Sequence, residues 1–287
     1  MTTPLVQFET HRALLYRVAY SILGTAADAD DAVQDSWLRW SADSRADVDN
    51  PRGYLVQVVT RVSLNRLRSL RARRESYVGP WLPEPLLTEP DGPAEHVERA
   101  DSVSMALLVV LESLSPLERA VFALRDLFGY SHREVADIVD RSETAVRQIS
   151  SRARAHVRAR RPRFDTDPAV QREATQRFAQ ACATGDVGEL LTLLAPDVTF
   201  ISDGGGRVSA ALRPVVGAEK VARLCLGLAH LDIEGLRMEL REVNGQAAVV
   251  GWVGDAAFVV LQLDVVDGVV EQVFLVRNPD KLRHLAP

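Results

Sequence analysis

The spacing of apolar residues changes once along this chain of 287 residues. Up to about Pro162 it follows a helical period, as in "HRALLYRVAYSIL", where Leu14, Leu15, Val18 and Ile22 share one face. Later the period becomes two, in "VTFIS", "LRMELREV", "AAVVGWV", "AAFVVLQLDVV" and "VVEQVFLV". A helix-period pattern does not settle as a strand, nor the reverse, so helical domains followed by a separate α+β domain are expected. Between the two regimes, "PAVQREATQRFAQACATGDVGELLTLLAPDV" reads as two helices parted at Gly185-Asp186. Asn244-Gly245 and Asp267-Gly268 separate strand-like runs, which is the strongest short hairpin signal, and the strands are expected to form a curved antiparallel meander. No internal repeat is visible.

The length suits two or three small domains with cores of their own. With 47% apolar residues and no apolar run of the roughly 18 residues that a span requires, the chain reads as globular, with no membrane partner. "MTTPLVQFETHR" shows no basic segment followed by an apolar core, so no secretory signal is expected. Cys182 and Cys225 have no metal-ligand spacing and fit a reducing, cytoplasmic setting. No metal or cofactor is expected.

Charge is divided unevenly. Residues 1–163 carry 23 Arg and 22 acids, whereas residues 164–287 carry 11 basic residues and 17 acids. Two basic clusters stand out: Arg61 to Arg74, with six Arg and no carboxylate, and Arg141 to Arg163, with Glu143 alone. Start signals frame the helices that carry them. Asn50-Pro51 is an N-cap followed by proline at the first helical position. Ser115-Pro116-Leu117-Glu118 and Ser131-His132-Arg133-Glu134 both fit the capping box, in which serine and glutamate satisfy each other's orphan amides. Asp140-Arg141 then makes a turn, and Ser142 caps the next helix. A short helix, a tight turn and a longer basic helix make a helix-turn-helix candidate.

On that last helix, at about 100° per residue, Ser151, Arg154 and Arg158 fall within about 40° of Arg147. Val146, Ile149, Ala153 and Val157 lie opposite. One side docks; the other presents guanidiniums, a hydroxyl and nearby Gln148. Arginine can read guanine bidentately and glutamine adenine. An Arg-rich solvated helix is the plain alternative, and the cap, helix and turn before it favour recognition. The earlier basic helix sets Arg61, Asn65 and Arg68 on one line, away from Leu55, Val58, Val59 and Val62; an ordinary amphipathic helix explains that pattern too. A third helix sets Asp31, Gln34 and Asp35 on one face. Acidic groups repel phosphate, so this face suits a basic protein partner, or is simply solvated.

Between the helical blocks lies "YVGPWLPEPLLTEPDGP", residues 77–93, with five prolines around Trp81, Leu82 and Leu86. Proline stiffens such a segment, and its apolar residues ask for a surface to cover them.

In this order the motifs resemble those of an extracytoplasmic-function (ECF) bacterial sigma factor. "DADDAVQDSW" resembles region 2.2, which implies that Asp31 and Gln34, with Asp35 beside them, dock on the clamp helices of the RNA polymerase β′ subunit. "NPRGYLVQVVTRVSLNRLRSLRARR" resembles regions 2.3 and 2.4, which implies that Arg61, Asn65 and Arg68 melt and read the −10 element. "LSPLERAVFALRDLFGYSHREVADIVDRSETAVRQISSRARAHVR" resembles region 4, which implies −35 reading by Thr144, Arg147, Gln148, Ser151, Arg154 and Arg158, and a seat on the β flap. One departure is Asp140, where the family usually has glycine. Aspartate tolerates the left-handed conformation, so a modest stability cost is expected.

"YVGPWLPEPL", "DGGGR" and "NPDKL" together resemble the ECF subgroup with a fused SnoaL-like C-terminal domain, a cone-shaped α+β barrel that regulates sigma activity from within the chain. The implied fold is multidomain: an all-α region 2 over residues 1–75, a Pro-rich linker and lead-in helix over 76–105, an all-α helix-turn-helix region 4 over 106–163, and the SnoaL-like domain over 168–287. Regulatory contacts are expected from Trp81, Leu82, Pro83, Glu84 and Pro85 to Asp203, Gly204, Gly205, Gly206 and Arg207, and from Asn278, Pro279, Asp280, Lys281 and Leu282. The expected function is a transcription initiation factor that carries core RNA polymerase to promoter DNA, with its activity modulated in cis.

Two rival readings differ in class. One is a DNA-binding module fused to a SnoaL-like ligand-binding or acid–base enzyme domain; the other is a helix-turn-helix repressor, for which the acidic face has no evident use. Asp203, His230 and Asp232 are the first polar residues to consider for acid–base work. His230 also suits a helix end, where a cation meets the dipole, and "DGGGR" lacks the Lys-Ser/Thr of a phosphate loop. No catalytic residue is therefore assigned. A small-molecule ligand of the C-terminal domain is left unspecified.

Overall fold

The computed structural model describes residues 3–42, 48–88, 103–160 and 167–285. The expected end of the linker, the first part of the lead-in helix and the last residues of the region 4 segment lie outside these ranges. Two units are present, one built from the helical part of the chain, the other from the linker together with the C-terminal part.

In the helical unit, α1 (Pro4–Leu23) starts at Thr3 and stops at Gly24, whose φ of 74° is left-handed. Helix α2 (Ala26–Ala42) follows at once. Helix α3 (Pro51–Arg74) opens where Asn50 Oδ1 accepts from Gly53 N at 2.9 Å, the cap expected from Asn-Pro. Leu15, Val18 and Ile22 of α1 and Leu55, Val59 and Leu67 of α3 are fully or almost fully buried, which makes the three helices one layer around a shared apolar stripe. Trp40 closes one end by donating from Nε1 to Pro4 O at 2.8 Å.

The second helical group contains α4 (Met105–Glu112) and α5 (Pro116–Phe122), with a π-helical turn at Ala123–Leu127. It ends with α6 (His132–Val139) and α7 (Glu143–Arg160). Both expected capping boxes are formed, Ser115 with Glu118 and Ser131 with Glu134. The hydroxyl of Ser142 accepts from Ala145 N at 3.2 Å and starts α7. Leu111, Leu114 and Phe122 pack with Ala153 and Val157, the docking side read from the sequence.

The other unit begins with α8 (Pro168–Thr184) and α9 (Val187–Leu193), parted at Gly185. Its strands are β1 (Leu194–Asp203), the two-residue β2 (Val215–Val216), β3 (Leu236–Val243), β4 (Gln246–Val253), β5 (Ala256–Val266) and β6 (Val269–Val276). Helix α10 (Ala218–Ala229) precedes β3, and the four-residue α11 (Pro279–Leu282) follows β6. Strands β3 to β6 form the expected antiparallel meander, with Asn244 and Asp267 at φ of 53° and 51° in their hairpins.

The expectation of a wholly antiparallel sheet needs correction. The sheet order is β2-β1-β6-β5-β4-β3, and β1 runs parallel to β6. That pairing requires a long crossover, here carrying α10, and local alternation cannot reveal it. Phe178 of α8, Leu190 of α9 and Val221 of α10 cover Val198, Phe200, Leu263 and Val273 of the sheet.

Candidate functional site

Helix α7 keeps its polar stripe in the open. Arg147, Gln148, Ser151 and Arg158 are exposed, as is Thr144, while Val146, Ile149, Ala153 and Val157 are buried. Arg154 is half-exposed and pairs with Asp126 at 2.6 Å. Arg147 donates from Nε to Glu143 at 3.2 Å, one turn earlier. The turn before α7 uses Asp140 at φ 56°, and its amide returns to Ala136 O to close α6. A left-handed aspartate thus stands in for glycine.

Helix α3 uses its basic residues differently. Arg61 donates from Nε to Ile138 O at 3.2 Å, and Gln57 donates to Asp137 O at 2.7 Å. Both acceptors belong to the last turn of α6, where carbonyls lack intrahelical donors and a cation suits the dipole. The Arg52 guanidinium also lies 5.3 Å over the Tyr130 ring, just before α6. Asn65 and Arg68, exposed like Arg61, bond each other at 2.9 Å. Arg71 donates to the carbonyls of Leu114 and Glu112, and Arg74 pairs with Glu112 and donates to Leu23 O at 2.9 Å. Burial lowers the proton affinity of Arg74, with the Glu112 carboxylate opposing it. Fully buried Arg119 completes the cluster, reaching Ser21 O at 2.9 Å and pairing with Glu112. Gln57 and Arg119 were missed in the sequence. Each sits inside a helix pattern that gives no sign of a distant carbonyl.

On α2, Asp31, Gln34 and Asp35 are exposed and lie on one face. Asp31 pairs with Arg66, which also holds Asp28 at 2.7 Å. Trp40 is buried and Trp37 packs its ring 5.1 Å from Phe8, so both tryptophans serve the helical core and lie away from the acidic face.

The linker lies along the C-terminal part within its own unit. Asp203, fully buried at the end of β1, is the hub. Its Oδ2 accepts from Leu82 N at 2.8 Å and from Lys281 Nζ at 2.7 Å. Its Oδ1 accepts from the Tyr77 hydroxyl at 2.5 Å and from Gly205 N at 3.0 Å. Lys281 also donates to Leu82 O, and its ammonium stands 4.0 Å from the Trp81 ring centre. A buried ion pair is tolerable only when its remaining lone pairs and protons are satisfied, and this carboxylate takes four donors. Burial, then Asp203, push the Tyr77 phenol well above its ordinary value.

The short motifs meet here for steric reasons as well. Gly205 has φ 58°, and a Cβ on it would sit 2.2 Å from Asn278 Nδ2. Asn278 uses that amide to donate to Tyr77 Oη at 2.8 Å, and its Oδ1 caps α11. Arg207 pairs with Asp280 at 3.2 Å on the surface. Leu82 is the fully buried anchor, with Pro83, Glu84 and Pro85 also buried, whereas Trp81 is half-exposed over Lys281. Farther on, Asn244 N donates to Leu86 O at 2.8 Å and Thr88 N to Glu242 O at 3.0 Å, a short antiparallel bridge beside β3. The His284 ring donates to Pro85 O at 2.8 Å. Tyr77, Thr88 and His284 were not picked out in the sequence, and Asn244 only as a hairpin residue, because each meets its partner far along the chain.

The three polar residues considered for acid–base work are dispersed. Asp203 is occupied by Lys281 and the linker. His230 caps α10 with its ring 2.7 Å from Leu226 O and is exposed. Asp232 is exposed in the following loop. Among the described residues no cluster of three or more His, Cys, Asp or Glu is placed to hold a metal ion. No helix among them is long and apolar enough to cross a membrane.

Comparison with known proteins bears on all of this. Residues 7–73 match the family model for sigma-70 region 2, and residues 104–157 match that for sigma-70 region 4. The chain is 40% identical to the ECF RNA polymerase sigma factor SigJ of Mycobacterium tuberculosis, over 96% of this chain and 92% of that one. It is 31% identical to a probable ECF sigma factor, SigI, of the same species, over 96% and 93% respectively. The crystal structure of M. tuberculosis SigJ superposes with a TM-score of 0.80 at 38% identity, covering 96% of this chain and 97% of that one. Helical sigma domains followed by a mixed α/β domain, in one chain and in this order, identify a member of the extracytoplasmic-function RNA polymerase sigma factors.

Proposed function

We propose that this sigma factor reads the −35 element with α7 and the −10 element with α3, and that its C-terminal domain governs it by gripping the linker. The observation that carries the cis control is the Asp203 carboxylate, which binds a linker amide and the Lys281 ammonium that holds the same residue's carbonyl. The linker joins α3 to α4, so a grip on residues 77–88 constrains how α3 and the region 4 helices can separate. Separation matters because Arg61 and Gln57 are engaged with the end of α6. A side chain donating to a protein carbonyl has fewer donors left for a base or phosphate. Asp31, Gln34 and Asp35 offer polymerase an exposed acidic face.

Two measurements test this reading. Purified chain binds core RNA polymerase, and replacing Asp31 and Gln34 together by alanine weakens that binding; absence of association with core polymerase ends the proposal. Asp203→Asn and Trp81→Ala each change transcription from a cognate promoter while the circular dichroism of the helical domains is preserved. Unchanged transcription in both variants would remove the cis control and leave the sigma function standing. The polar groups of the C-terminal domain serve structure in this reading, and no reaction is assigned to it.

A further inference from the structure

The C-terminal domain contains a cavity of about 230 Å³ whose lining includes none of the linker residues. Phe178 of α8, Cys225 of α10, Phe200 of β1, Leu261 of β5 and Leu275 of β6 line it. Alanines at 179, 183 and 229 hold space where larger apolar residues would close it. It opens to solvent beside Ala183, Ala229, Leu231 and Met238, which are exposed. An apolar cavity of roughly 150 Å³ takes benzene, so this one has room for a substituted ring or a medium acyl chain.

One cation belongs to the lining. The Arg277 guanidinium lies 4.8 Å over the Phe258 ring, and both residues face the cavity. Its hydrogen bond to Ser209 O is long, at 3.4 Å. Among the described residues no carboxylate pairs with it. A guanidinium has five donors in a fork that matches a carboxylate, so most of its donor capacity is unspent. The remaining lining supplies no carboxylate, imidazole or phenol. Burial pushes the Cys182 thiol up to about 11 and Cys225 higher still, so neither supplies a thiolate near neutrality.

We propose that this cavity binds a small apolar molecule bearing a single anionic group, with Arg277 as the anion's partner. The apolar body fills the space between α8, α10 and the sheet, and the anion sits against the guanidinium above Phe258. The occupant would lie close to the linker grip, because Arg277 N and Asn278 N both donate to the Asp203 carbonyl, at 2.8 and 2.9 Å. The inference concerns binding alone and does not depend on how the sigma domains act.

Calorimetric titration of the full chain tests it, with decanoate as the anionic probe and decanol as its neutral counterpart. Decanoate is expected to bind saturably at one site. Arg277→Gln should weaken decanoate by about tenfold, the loss of one charge-assisted hydrogen bond, and leave decanol nearly unchanged, while Arg277→Lys restores part of the difference. Ala179→Trp, which fills the cavity, should abolish both; Ala229→Trp, at a more exposed part of the lining, provides the same test if the first variant melts early. No saturable decanoate binding, or binding indifferent to both tryptophan variants, overturns the site. Equal losses for decanoate and decanol in Arg277→Gln overturn the assignment of an anion.

Discussion

Helices α3 and α7 have similar basic compositions and opposite uses. On α7, Arg147 and Arg158 stand in solvent, and their neighbours on the far side of the helix hold it to the core. On α3, Arg61, Arg66, Arg71 and Arg74 are all committed to protein carbonyls or carboxylates. An Arg-rich helix is therefore not by that fact a nucleic-acid surface. What separates the two is which acceptors lie within reach. Helix α7 meets Asp126 and Glu143, whereas α3 meets the end of α6, the end of α1 and the α4–α5 corner.

The largest effect expected from this contrast is on stability. Arg74→Ala leaves Glu112 with one partner fewer in a mostly buried cluster, and should cost about 3 kcal/mol in chemical denaturation. A cost below about 1 kcal/mol would place Arg74 with the surface arginines and erase the distinction. Next comes Arg147→Ala, whose exposed pair with Glu143 contributes little to folding. Melting should be unchanged, while holoenzyme binding to a cognate −35 element falls by the equivalent of about 1–3 kcal/mol. A uniform loss on all sequences, with a shallower salt dependence, would instead make it a phosphate contact.

Arg61→Ala tests the intermediate case, a donor expected to serve DNA that here serves Ile138. It should cost about 1.5 kcal/mol of stability, and in holoenzyme it should slow opening at the −10 element. A loss of stability with normal promoter opening would make Arg61 a purely internal residue. The smallest effect concerns α6, which receives those donors. Ser131→Ala should destabilise by about 1 kcal/mol near neutrality. The Ser131 hydroxyl and amide hold Glu134 below the usual carboxylate range. That contribution is present above the unfolded value near 4.3 and is lost as pH falls through the folded value. The gap between parent and variant should therefore narrow below about pH 4.3, and a constant gap would remove the coupling.

The sequence revealed most where one residue decides a local conformation. Both capping boxes, the Asn50 cap and the Asn244 and Asp267 turns depend on partners within three residues, and the expected bounds of β3, β5 and β6 are those observed. It revealed less where the partner is remote. Nothing in alternation distinguishes β1 running parallel to β6. Lys281 and Asp203 stand in two recognisable motifs, yet spacing cannot show that they meet 2.7 Å apart. The linker was legible as a segment requiring cover, but its deepest residue is Leu82 and not the larger Trp81. A ring that can lie over an ammonium need not be wholly enclosed. Gln171 shows the same limit. It occupies an apolar helix face and bonds Ala247 through both backbone groups, a role invisible to periodicity.

The short bridge between residues 86–88 and β3 bears on any attempt to excise the C-terminal part. A strand at the border of a sheet offers its amides and carbonyls to any passing chain, and self-recruitment is the usual result. Here the chain's own upstream segment occupies Glu242 and Asn244 at that border. A fragment beginning at residue 164 would uncover this row and leave Lys281 without the carbonyl it holds. Such a piece should pair with copies of itself and mislead as a stand-in, whereas a fusion that keeps residues 76–88 should stay monodisperse.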